Sequence, residues 1–186
     1  LHSFPPRRAS DLLNSLSKAI TSVQTSPGRH VQTLEQASLD IFSTGGSGEG
    51  GNRNTTVSYY DKGLIAGLLL DARIQHATNG RKNLDDMMRL AYKRYGGAHG
   101  FTPQQWATTA SDVAGTDLTG FFHELLQTTD EIDYSEALEW FGLRFAPSAD
   151  PATAWTLEIT PDATPAQTAR LDRLTRPYAS TSSRSR

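Results

Sequence analysis

The chain has 186 residues, enough for one domain with a buried core, and its 18 basic against 20 acidic residues give a net charge of -2. That balance excludes the broad basic footprint of a nucleic-acid or anionic-lipid binder. The absence of cysteine removes disulfides, thiol nucleophiles and Cys-type zinc sites together, and leaves the redox compartment open.

Residues 1–9, with Pro5-Pro6-Arg7-Arg8, read as an irregular lead-in. Ser10 is placed to cap a first helix, in which Leu12, Leu13, Leu16, Ile20 and Val23 recur at helical spacing before Ser26-Pro27-Gly28. Thr33, with Gln36 three residues on, has the form of a capping box and starts a second helix through Leu34, Ala37, Leu39, Ile41 and Phe42. Seven of the nine residues from Ser43 to Gly51 are glycine or serine, which predicts a flexible loop over 43–54.

A long central helix is predicted from about Ser58 to Thr78, stopped by Asn79-Gly80. Its run Leu64-Ile65-Ala66-Gly67-Leu68-Leu69-Leu70 is apolar on every helical face and places it at the centre of a bundle. Asn83 with Asp86 caps a fourth helix carrying Leu84, Met87, Met88, Ala91 and Tyr95, ended by Gly96-Gly97. Thr102-Pro103 opens a fifth, to Gly115. A sixth holds Leu118, Phe121, Phe122, Leu125 and Leu126, and a short turn spans Tyr134 to Trp140.

After Gly142 the pattern alternates. Leu143-Arg144-Phe145 and Trp155 to Ile159 read as a small hairpin, Pro165 to Leu174 as a last helix, and 179–186 as a disordered Ser/Arg tail. The fold class is therefore mainly α, a bundle of about six to eight helices with a small β element near the C-terminus. The helical lobe spans 10–145, and a strand and helix extension spans 146–178. Charged residues bound the longest apolar run, with Asp61 and Lys62 before it and Asp71 and Arg73 after it, so no membrane span is expected. Leu1 is not an initiator Met and no signal peptide pattern follows it, so the chain reads as a fragment of a longer protein.

Few residues qualify for chemistry. His123-Glu124-Leu125-Leu126-Gln127 falls one residue short of HExxH, and its Gln offers an amide oxygen where a second imidazole is needed for zinc. His2, His30, His76 and His99 have no histidine partner one turn away and read as surface or loop residues. Asp85-Asp86 at a helix start complements the helix dipole. The serines and threonines between Thr108 and Thr119 lack the strand-turn-helix setting of a nucleophile elbow. Tyr60, at the mouth of the central helix, sits where its phenol can reach into a cleft, against the plainer reading in which its ring packs and its hydroxyl bonds a neighbour. Tyr59 stands about 100° around the helix and is expected to point elsewhere.

Ser58-Tyr59-Tyr60-Asp61-Lys62-Gly63 resembles the Tyr-x-Lys-Gly signature of the HExxH zinc aminopeptidases, and most closely their glycyl aminopeptidase branch, metallopeptidase family sixty-one. Pro27-Gly28-Arg29-His30-Val31-Gln32, Glu35-Gln36-Ala37-Ser38, Leu84-Asp85-Asp86-Met87-Met88, Gly100-Phe101-Thr102, Ala114-Gly115-Thr116-Asp117-Leu118 and Phe121-Phe122 follow that family's order, so the resemblance covers Leu12 to Phe145. It implies a parent zinc metallopeptidase acting on peptides, in which the Tyr60 hydroxyl stabilises the oxyanion. The family's HExxH and glutamate ligands are absent from this chain, which implies no cofactor here and zinc on an N-terminal lobe of the same protein. Alone, the chain is expected to be inactive. The resemblance is compatible with a periplasmic or secreted parent. The rival reading is a non-catalytic helical interaction module that keeps the family's packing without its chemistry.

Overall fold

A computed structural model describes residues 9–40, 53–98, 100–150 and 153–175. The glycine-rich segment before Arg53, His2, His99, the first eight residues and the Ser/Arg tail lie outside them, as do Ile41 and Phe42, which the sequence places in the second helix.

Among the described residues, eight α-helices and one two-stranded sheet follow in order. Helix α1 (Ala9–Gln24) leads through a 3-10 turn at Pro27–His30 into α2 (Leu34–Leu39), whose N-cap Thr33 forms the expected capping box with Gln36. Ser10 is not the cap of α1: the helix is already formed at Ala9, so Ser10 lies inside its first turn. Helix α3 (Tyr59–Ala77) starts at the Ser58 cap, and Asn79 and Gly80, both at positive φ, turn the chain beyond its end. Helix α4 (Leu84–Tyr95) has the Asn83–Asp86 capping box, and α5 (Pro103–Ala114) runs from the Thr102 cap to left-handed Gly115.

The predicted sixth helix is split. Helix α6 (Thr119–Phe122) widens into a π turn over His123–Gln127, a wider winding that is frequent at functional sites. Helix α7 (Ser135–Phe141) ends at left-handed Gly142, and strands β1 (Leu143–Phe145) and β2 (Leu157–Ile159) pair antiparallel, Arg144 opposite Glu158. Helix α8 (Pro165–Thr175) closes the described chain.

Helix α3 is the hub because it buries two faces. Ile65, Leu69 and Ala72 pack with Leu16, Ile20 and Val23 of α1 and with Trp140 and Phe141 of α7. Leu70 and Ile74 pack on the other side with Met87 of α4, Ala110 of α5 and Phe122 of α6. Two buried faces explain the unbroken Leu68-Leu69-Leu70 run, which a helix with one buried stripe would not need. Burial is nevertheless not uniform, since Leu64 is exposed while Lys62, Asp71 and Gln75 are buried. Leu157 and Leu171 join the larger cluster, so the C-terminal extension shares the core of the helical lobe. The Ser17 hydroxyl accepts from the Leu157 N–H at 2.9 Å and ties β2 to α1.

Among the described residues, no helix is long and apolar enough to cross a membrane.

Candidate functional site

The start of α3 is fixed by Ser58, whose hydroxyl accepts from the Asp61 N–H at 3.2 Å, with the Asp61 carboxylate in the first turn where the helix dipole favours it. This cap sets the rotation of everything that follows. Tyr60 is 67% exposed, whereas Tyr59 is half-buried against the larger core cluster. The two rings nevertheless meet, with centroids 4.1 Å apart and planes 35° from parallel. The expectation that neighbours 100° apart must diverge is corrected here. In the first turn of a helix no preceding turn crowds the side chain, so both phenols lean together.

Burial raises the Tyr59 hydroxyl to about 12, and a hydrogen bond to Tyr60 and the charge Tyr60 would carry add to the shift. Tyr60 lines none of the cavities described below.

A cavity of about 230 Å³ opens one turn further along α3. Lys62, Leu69 and Arg73 form one wall; they lie seven and four residues apart and share a helix face. Phe121, Glu124 and Leu125, from α6 and the π turn, form the second wall, and residues 130–133 with Glu136 and Ala137 of α7 close the third. Arg73 stacks over the Phe121 ring at 5.2 Å. Its Nε lies 2.5 Å from Glu136 Oε2, an ion contact in which the N–H does not point at the oxygen. Glu136 also takes His76 Nδ1 at 2.8 Å. Asp133, which accepts from the Ser135 hydroxyl and N–H, is held below the usual carboxylate range.

Lys62 sits deepest. It is 3% exposed, has no hydrogen-bond or ion-pair partner among the described residues, and is pushed below the usual lysine pKa by burial. The signal was present in the sequence: Lys62 falls on the stripe that continues through Ile65, Leu69 and Ala72, a place where helices put apolar residues.

On the opposite side of α3, Asp71 is buried but fully used. Its carboxylate accepts from Gln75 Nε2 at 2.7 Å and from the Leu84 N–H at 2.8 Å, while Gln75 Oε1 accepts from Trp140 Nε1 at 3.2 Å. Burial raises the Asp71 pKa, and those two hydrogen bonds oppose the rise. This relay docks α4 and α7 onto α3.

The remaining sequence candidates stay apart. His123 is exposed, with Nδ1 3.0 Å from Gln127 Oε1 in the π turn. His30 Nε2 lies 3.7 Å from Glu131, which Arg29 also holds at 2.9 Å. Asp86 is spent on its cap with Asn83, and Asp85 lies 3.9 Å from Arg89. Among the described residues no group of three or more His, Asp or Glu is arranged to hold a metal ion.

No curated protein and no solved structure matches the chain. A protein-family model described as M61 glycyl aminopeptidase matches residues 7–66, just under a third of the chain, from the start of α1 to the second turn of α3. The matched stretch includes the paired tyrosines, Lys62 and Gly63, and it ends at Ala66, short of the cavity's second and third walls. The segment from α1 into α3 is peptidase-related.

Proposed function

We propose that this chain is the C-terminal helical lobe of a glycyl aminopeptidase-like zinc metallopeptidase, where it forms one wall of the peptide cleft and supplies Tyr60. The observation that carries the reading is the family match over 7–66, which takes in an exposed tyrosine at the N-terminus of a rigid central helix. A hydroxyl placed in this way stabilises negative charge as it develops on a carbonyl oxygen, and loss of one such donor costs about 100-fold to 1,000-fold in rate. The zinc of that chemistry would be held by an N-terminal lobe of the same protein, through HExxH and a glutamate that these 186 residues lack.

The test is made in the full-length product of the gene that encodes this chain. With glycyl and alanyl anilides as substrates, Tyr60→Phe is expected to lower kcat and kcat/KM together by about 100-fold, the signature of a bond made only in the transition state. The unfolding free energy of the 186-residue chain carrying the same substitution, from urea titration, is expected to stay within about 0.5 kcal/mol of that of the unsubstituted chain, as for a benign surface change. Full activity of the Phe variant removes the catalytic role, and a full-length product without HExxH leaves the interaction module as the reading.

A further inference from the structure

The cavity beneath the tyrosines combines one unpaired cation with two unpaired anions. Lys62 lines it, nine-tenths buried and more as a residue, with its Nζ not fully enclosed and with no partner among the described residues. A buried ammonium without an anion is among the costlier arrangements in a protein interior, and a ligand carboxylate relieves it. Five carboxylates stand around it, and three are occupied: Glu131 by Arg29, Glu136 by Arg73 and His76, and Asp133 by the Ser135 N–H. Glu124 and Asp130, both exposed at the rim, have no side-chain partner among the described residues. A simple anion would meet this acidic rim on its way to Lys62. A ligand with an ammonium group as well as a carboxylate meets complementary charge at both ends.

We infer that this cavity binds a small zwitterion, an amino acid or short peptide, with its carboxylate on Lys62 Nζ and its ammonium against Glu124 and Asp130. The volume of about 230 Å³ lies below the range of drug-sized sites, which suits a ligand of that size. Leu69, Phe121 and Leu125 supply the apolar wall between the two charged ends. The inference stands on Lys62 and the rim, and not on the role of Tyr60.

The 186-residue chain is titrated by NMR with three probes: glycylglycine, N-acetylglycine, which lacks the amine, and glycinamide, which lacks the carboxylate. Glycylglycine is expected to shift the amide signals of Lys62, Leu69 and Leu125, with at least about 10-fold weaker binding of the other two, as for loss of one charged contact. Lys62→Met is expected to abolish glycylglycine binding, while Asp130→Asn, on an exposed loop that leaves folding intact, weakens it several-fold and spares N-acetylglycine. Equal binding of N-acetylglycine and glycylglycine overturns the zwitterion assignment. Signal shifts remote from the cavity, or none at millimolar glycylglycine, overturn the site itself.

Discussion

Replacing Lys62 with Met tests the buried cation without any ligand. The substitution keeps an unbranched stem in the same groove and removes only the ammonium, so packing against Ile65 and Leu69 changes little. Lys62 is 3% exposed and unpaired among the described residues. An unsatisfied buried neutral group costs about 1–3 kcal/mol and a charged one more, but the adjoining cavity of about 230 Å³ admits water that softens the penalty. Lys62→Met is therefore expected to stabilise the chain by about 1–3 kcal/mol near neutral pH.

The pH dependence gives a sharper signature. The folded pKa of Lys62 lies below the ordinary value of 10.5. Between the two values the unfolded chain binds more protons than the folded one, so stability rises with pH across that window. The penalty is full below the folded pKa and vanishes above the unfolded one. Urea midpoints of parent and variant, compared from about pH 7 to about pH 10, should thus converge as pH rises, at unchanged m value. A variant destabilised by more than about 1 kcal/mol, or a gap that does not change with pH, shows that the ammonium is paired and refutes the argument.

The Asp71 relay predicts non-additivity. Asp71→Asn leaves an NH2 facing Gln75 Nε2, and Gln75 is not free to turn because its oxygen already accepts from Trp140, so the cost is about 1–3 kcal/mol. In a Trp140→Phe background Gln75 can turn, and the Asn substitution should then cost about 1 kcal/mol less; urea unfolding that shows additivity within about 0.5 kcal/mol contradicts the relay. Gly28→Ala should destabilise by about 1–3 kcal/mol or more, because a Cβ there would lie 2.1 Å from the backbone oxygen of Thr56. A thermal midpoint equal to that of the parent would show that the 53–56 segment moves aside freely.

Local chemistry was readable directly. The capping boxes at Thr33 and Asn83, the helix start at Thr102-Pro103, the stops at Gly96, Gly115 and Gly142, and the short hairpin after α7 all follow from residues within a few positions of one another. Such signals are local hydrogen bonds and φ preferences, which a linear pattern records. The tyrosine at the mouth of α3 was visible for the same reason, whereas Ser58, read as the first residue of the helix, is its N-cap.

What the tertiary structure decided lies in pairings across long separations. His76 and Arg73 meet Glu136, Arg29 meets Glu131, and Trp140 meets Gln75, each more than 50 residues apart. No spacing rule connects such partners. The same holds for the π turn, where packing of Phe122 and Leu125 into two different clusters overrides the helical period read from Leu118 to Leu126. Lys62 shows the limit most clearly. Its place on an apolar stripe is written in the sequence, but whether a carboxylate waits there depends on three segments converging from elsewhere in the chain, and they leave it unpaired.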